Sequence, residues 1–211
     1  MPIESQDNHN LAKERDANTM VITSTILGIL KPILDILKLM IGMIGKAINY
    51  FNRPKLEIYY DPNETYHKRT VISTNLLGNF AHVMVKNNGK STAKNCVGEL
   101  RSVEVLKNNQ LQKVPGYVKI MSLKWAHERD FSPKDIEVDT PRRLDVCYVY
   151  QGLDILYFFI DKYPSGNQTD FPPDEYRIKI RIKSDNAESV EKEFIVKYYA
   201  GNFDSLEIKN I

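Results

Sequence analysis

The chain has 211 residues, 42% hydrophobic and 27% charged, with 29 Lys and Arg against 27 Asp and Glu for a formal net charge of +2. That is ordinary globular material, and the near-neutral balance excludes the electrostatic footprint of a dedicated nucleic-acid binder. Two cysteines and four histidines exclude a disulfide-dense scaffold and a four-thiolate zinc site, and leave little for acid–base chemistry.

Residues 1–19 are polar and show no apolar period. Glu4, Asp7, Glu14 and Asp16 outweigh Lys13 and Arg15. This stretch is expected to be a solvated tail, disordered or weakly helical, and it lacks the basic start of a secretory signal.

Residues 20–53 contain MVITSTILGILKPILDILKLMIGMIGKAINYF, the most informative segment. At 100° per residue, Ser24, Lys31, Asp35, Lys38, Gly42, Asn49 and Arg53 fall on one narrow stripe, with Lys46 and Gly28 at its margin. Isoleucine, leucine and methionine cover almost everything else. A helix on the surface of a soluble domain has an apolar stripe of about 100° or somewhat more. Here the proportions are inverted, so the helix requires an apolar surround on most of its circumference. Ile26, Leu27, Leu30, Ile33, Leu34, Leu37, Ile41 and Ile44 are the expected membrane-contacting residues, and Lys31, Asp35 and Lys38 the polar stripe that escapes the bilayer.

A bilayer, a helical oligomer or the protein's own core could provide that surround. The 32 residues from Met20 to Phe51 would measure roughly 48 Å as one helix, too long for a small β domain to wrap. Spanning a ~30 Å hydrocarbon core would place Lys31, Asp35 and Lys38 near its middle. Each of those costs about 2.5–3.5 kcal/mol, against about 0.3–0.6 kcal/mol returned by each Ile or Leu. Pairing of Lys31 with Asp35 and snorkelling of the lysines bring the sum near break-even. An in-plane helix, a spanning helix with a shifted frame and a spanning oligomer all stay open, and Pro32 is expected to kink the rod. Lys46, Arg53 and Lys55 follow the segment, while Lys13 and Arg15 precede it. If the segment spans, the positive-inside rule therefore leans toward a cytoplasmic C-terminal domain.

From Pro54 to Ile211 the hydrophobic period changes from 3.6 to 2. Strands are predicted over 55–61, 80–86, 95–106, 117–126, 136–139, 143–150, 153–161, 176–184 and 190–199. Turn clusters such as DPNET, NNGKS, YPSGNQTDFPP and SDNAES separate them. This grammar predicts a mainly β, antiparallel, immunoglobulin-like sandwich. In the stretch from Ile155 to Ile160 both faces are apolar, as a central strand or one covered by the following loop would require.

For the C-terminal hairpin, alternation predicts Ile180 opposite Phe194 and Ile178 opposite Val196 on the inner face. Outside, Lys183 then meets Glu191 and Arg181 meets Glu193. The basic row that includes Arg177 and Lys179 is thus half neutralised by its neighbour. It reads as a solvated face ahead of an anionic-lipid or partner contact.

HVMVKNNGKSTAKNCVGEL (82–100) carries a V-x-V-x-N-x-G pattern followed by A-x-N. LKWAHERDFSPKDIEVDTPRRLDVCYVY (123–150) and YRIKIRIKSDNAES (176–189) supply an L-x-W strand and a closing hairpin. These blocks resemble CARDB-type and related prokaryotic immunoglobulin-like domains, including those of uncharacterised archaeal membrane-anchored proteins. The resemblance covers roughly half the chain and implies a binding or structural module beside a membrane, with Val83, Val85, Ala93 and Cys96 at packing positions. The order Cys96, Trp125, Cys147 matches the immunoglobulin pattern, but the gap from Cys96 to Trp125 is long and no Tyr stands two positions before Cys147. Two reduced, buried thiols are expected in preference to a disulfide.

The chain has no P-loop, dinucleotide fingerprint, nucleophile elbow, H-E-x-x-H or C-x-x-C. The densest polar constellation is Trp125, His127, Glu128, Arg129 and Asp130. His127 with a neighbouring carboxylate would suit a general base, yet the charged loop that leaves a Trp-anchored strand is the simpler reading. His82 and Cys96 flank the same Asn-Gly turn, but two ligands fall short of a metal site.

The expectation is therefore a non-enzymatic, membrane-associated β-sandwich acting as an interaction or scaffold module. It needs no cofactor or metal, and its partners are membrane lipid with a protein partner or a second copy. One alternative is a soluble protein that oligomerises through its helix. Another is an enzyme at Trp125 and His127, which requires a concave wall there with a convergent acid.

Overall fold

The computed structural model describes residues 28–211 apart from 29, 49, 65, 72–75, 108–109, 115–116, 118–119 and 163–170. Two compact units emerge, Met1–Phe51 and Asn52–Ile211. The polar tail expected over 1–19, and Ile26 and Leu27 of the expected membrane contact, lie outside the described residues.

Among the described residues one helix is present, α1, with 23 described helical residues between 28 and 52, all but Asn52 in the first unit. Its helical assignment runs on through Pro32. Among the described residues, no helix is long and apolar enough to cross a membrane.

Among the described residues, the second unit has twelve strands in two antiparallel sheets. β1 (Leu56–Tyr59), β2 (Tyr66–Val71), β3 (Leu76–Asn87), β8 (Arg142–Tyr150) and β9 (Leu156–Phe158) form the five-stranded sheet, in the order β1-β3-β8-β9. β2 shares the β1 edge of β3, so the two short strands occupy successive lengths of one long one. The seven-stranded sheet runs β12 (Glu207–Asn210), β11 (Val190–Tyr198), β10 (Asp174–Lys183), β4 (Ala93–Lys107) and β5 (Gln110–Lys113). β6 (Met121–Leu123) and β7 (Lys134–Ile136) add to β4 beside β5. β4 therefore pairs along one edge with β10 and along the other with three short strands in turn.

Ala81, Val83 and Val85 of β3, Leu144, Val146 and Val149 of β8, Leu100 and Val103 of β4, and Ile178, Ile180 and Ile182 of β10 join one buried cluster. The sheets thus bury one face each against the other, a sandwich-like arrangement that removes both apolar faces from water. β10 shows the alternation cleanly, with isoleucines inward and Arg and Lys outward. β3 does not, because Phe80, on its outer face, is 3% exposed beneath stacked neighbours Tyr148 and Phe159, each with ring centroids 5.8 Å away.

The predicted hairpin register needs correction. β10 and β11 pair Ile178 with Phe194, Tyr176 with Val196 and Ile182 with Val190, two residues from the expected alignment. Outside, Arg181 meets Glu191 and Lys179 meets Glu193. A shift of two leaves every side chain on its own face, so alternation alone cannot select between the two registers. The turn selects. Asn186 Oδ1 accepts from the Lys94 amide (2.8 Å) and Asn186 Nδ2 donates to the Thr92 carbonyl (3.0 Å), which pins the hairpin tip to β4.

Other differences concern extent and place. The strand predicted over 117–126 is confined to Met121–Leu123, because β4 has room for only a short partner between β5 and β7. The aromatic strand β9 is an edge strand, and its Leu156 is bridged by Phe171 from the segment that follows. β2, β5 and β12 have no counterpart in the prediction.

Candidate functional site

A cleft of about 420 Å³ opens on the second unit. Its lining includes Tyr59, Asp61, Glu64, Met84, Trp125, His127, Arg142 and Arg143. Tyr59 ends β1, and the turn after it brings the acids: the Glu64 amide donates to the Asp61 carbonyl (3.1 Å), and the Asn63 amide to Asp61 Oδ1 (2.9 Å). Asp and Asn suit that turn because their side chains bond the local backbone. Met84 comes from β3, and Arg142 and Arg143 open β8.

The wall at Trp125 forms because residues 124–126 are zipped onto β8. The Ala126 amide donates to the Arg143 carbonyl (3.0 Å) and the Asp145 amide to the Lys124 carbonyl (2.9 Å). The Glu128 amide donates to the Trp125 carbonyl (3.2 Å), closing a turn in which exposed His127 takes φ +66°. That left-handed conformation is uncommon for a non-glycine residue.

Charges around the cleft are matched inside the protein. Arg143 and Glu64 form an ion pair. Glu128 takes Lys134 at 2.9 Å and Arg142 at 4.0 Å. The backbone and hydroxyl of Ser132 hold the Asp130 carboxyl below its ordinary value, which makes it a weaker base still. The constellation flagged in sequence therefore splits: Trp125 is core, Glu128 and Asp130 have structural partners, and His127 stands at the cleft. Sequence reading missed Tyr59, Asp61, Glu64 and Arg143. DPNET signalled the turn, and nothing local tied its two acids to residues some eighty positions away.

Among the described residues, no group of three His, Cys, Asp or Glu is placed to hold a metal ion. His82 Nδ1 lies 2.7 Å from Asp145 Oδ1, both side chains buried between β3 and β8. Cys96 belongs to the other sheet, where its thiol lies 3.6 Å from the Ala93 carbonyl. Both cysteines are free and buried. Burial pushes the Cys96 thiol up to about 11 and the Cys147 thiol higher.

The outward basic row is paired throughout. Arg177 and Lys179 (2.8 Å) share Glu193, while Arg181 (2.6 Å) and Lys183 (3.5 Å) converge on Glu99. Lys179, then Arg177, hold the Glu193 carboxyl below its ordinary value. A depressed carboxylate stabilises the fold above its unfolded pKa, and the contribution is lost as pH falls through the folded value. Glu193→Gln should lower stability at neutral pH by under about 1 kcal/mol, since the pair is partly solvated. The deficit should close in acid, below the usual carboxylate range; urea unfolding at several pH values measures it. A deficit constant with pH would show that packing carries it instead.

α1 is the other candidate surface. Of the expected membrane contacts, Leu30, Ile33, Leu34, Leu37, Ile41 and Ile44 are all described and exposed. The large hydrophobics from Leu30 to Phe51 range from 48% exposed at Leu30 to 66% at Leu39 and Phe51. Lys31, Asp35 and Lys38 are exposed as well. The helix thus presents a broad apolar flank and a thin polar line, and its chemistry is partition rather than reaction. No family model, curated protein or solved structure matches the chain.

Proposed function

We propose that the protein is a non-enzymatic, membrane-associated module: α1 partitions into a bilayer and tethers a β-sandwich of the immunoglobulin-like, CARDB-resembling kind for interaction or scaffolding. The observation that carries this reading is the apolar arc of α1, about 220° from Leu39 round to Leu34 by a 100° step, with its large side chains about half exposed or more. A solvated flank of that breadth exceeds what a monomeric soluble protein ordinarily presents, and such patches mark membrane or protein contacts.

Fractionation with a carbonate wash, comparing the full chain with one starting at Arg53, tests it. The full chain should stay with the membrane pellet and the shortened chain should stay in the supernatant. Both chains soluble would end the tether. A full chain that is soluble and of high native mass would give the helix to a homo-oligomer.

The enzymatic alternative draws on the cleft beside Trp125, which has the concavity that reading requires. Its weakness is chemical. A general base must be available to take a proton, whereas Glu64 is engaged by Arg143, and the proposal for His127 then depends on Asp61.

A further inference from the structure

We infer that α1 lies in the plane of a negatively charged bilayer surface, with Lys31, Lys38 and Lys46 seated among anionic lipid headgroups. This rests on the membrane reading and narrows it to one orientation and one lipid chemistry.

The first argument is where the charges fall along the rod. From Lys31 through Asp35 and Lys38 to Lys46 the charges extend over fifteen residue steps, roughly 22 Å of helix axis. A helix standing across a ~30 Å hydrocarbon layer would carry that stretch through most of the layer, and whichever charge lay near the middle would meet a steep insertion penalty. Lying flat removes the conflict. By a 100° step the four charges fall within one sector of about 80°, with Lys46 at its margin, so all can reach headgroups while the remaining circumference sinks. Tyr50, near the end of the helix, carries the amphipathic ring type that favours the membrane–water boundary.

The second argument is the sign of the line. It carries three lysines against one aspartate. Asp35 stands four residues after Lys31 and three before Lys38, within reach of both on a helix, while Lys46 lies beyond it. The surplus is positive, and anionic lipid is the bilayer chemistry that rewards it.

The third argument weighs a second copy as occupant. A helix–helix seam uses two positions in seven, a stripe much narrower than the arc present here, so a dimer would leave most of the flank wet. Gly42 and Gly45 stand on or beside the polar line, so they do not provide a close-packing seam inside the apolar arc.

The test uses the full chain and vesicles of phosphatidylcholine, with or without about one third phosphatidylglycerol. Binding by flotation should be about ten-fold or more tighter on the anionic vesicles, and the difference should collapse in high salt. Replacing Lys31, Lys38 and Lys46 together by Gln should abolish the preference while binding to neutral vesicles persists. Gly42→Lys provides the converse. Nothing lies within 4 Å of a Cβ at Gly42, so a fourth lysine fits on the line, lysine favours the helix over glycine, and anionic binding should tighten several-fold.

For orientation, tryptophan placed at Leu37 should be quenched by lipids brominated in the acyl chain, and tryptophan at Lys38 much less. Similar quenching at both would indicate a spanning helix and overturn the in-plane placement. Equal binding to both vesicle types would overturn the anionic preference and leave the membrane reading standing. Binding to neither would overturn both, and a dimer or larger species under those conditions would assign the flank to a second copy.

Discussion

Asn87→Ala should lower the stability of the β unit by about 3–5 kcal/mol, far more than the loss of one surface amide. Asn87 is fully buried at the end of β3, and its side chain makes four hydrogen bonds. Oδ1 accepts from the amides of Lys55 and Gly89, each at 3.0 Å. Nδ2 donates to the carbonyls of Ser91 (2.7 Å) and Ile136 (3.1 Å). One amide thereby joins the entry to β1, the loop between β3 and β4, and the end of β7. Alanine leaves backbone groups at those places without partners, at about 1–3 kcal/mol for each that water cannot reach.

Asn87→Asp separates the two halves of the role. It retains the accepting oxygen but turns a second oxygen toward two carbonyls, so it should also destabilise. The loop has no slack to compensate. A Cβ on Gly89 would stand 2.5 Å from the Arg53 carbonyl and from the Lys55 amide, so backbone passes too close for any side chain there. Urea unfolding followed by the fluorescence of Trp125 measures both variants. A loss below about 1 kcal/mol for Asn87→Ala would show that the four bonds do not hold the loop.

That asparagine marks how far sequence reading went. V-x-V-x-N-x-G announced a strand followed by a turn, and both are present. It did not announce that the asparagine side chain would serve three segments, because two of the acceptors and donors lie thirty or more positions away. The long strands were legible for two physical reasons: β10 and β11 bury one face and so alternate, while β3, β4 and β8 are buried over much of their length and read as apolar-rich runs between turn signals. β2 (YHKRTV), β5 (QLQK) and β12 (EIKN) carry no such period. They are strands because β3, β4 and β11 each have an open edge to pair, and backbone pairing is indifferent to side-chain pattern. The hairpin register failed by two for a related reason, since period-2 alternation is blind to even shifts and the deciding contact is Asn186 on β4. The helix line and flank were read from spacing alone. The cleft was half read: Trp125 and His127 were picked out, while the acids and arginines opposite them reach it only through folding.

Trp125→Ala should cost about 3–5 kcal/mol, the range for removing a fully buried large aromatic. Trp125 is 1% exposed, and its position gives it a second duty beyond filling space. Its backbone belongs to the five-stranded sheet through the bridge to Leu144 and the flanking bonds to β8. Its indole Nε1 donates to the Cys96 carbonyl of β4, in the seven-stranded sheet, at 3.2 Å. The residue is a strut between the two layers. Trp125→Phe keeps most of the packing and leaves that carbonyl unbonded, so it should lose about 1–3 kcal/mol.

Trp125 is the sole tryptophan, so circular dichroism must follow the unfolding of these variants. Cys96 gives an independent readout. Burial holds its thiol up at about 11 and shields it, so a thiol reagent at neutral pH should react slowly with the folded protein. Trp125→Ala opens space beside Cys96 and should accelerate that reaction under native conditions, whereas Trp125→Phe should leave it close to the parent rate. An alanine variant within about 1 kcal/mol of the parent, with Cys96 still protected, would mean that the sheets hold together without the strut.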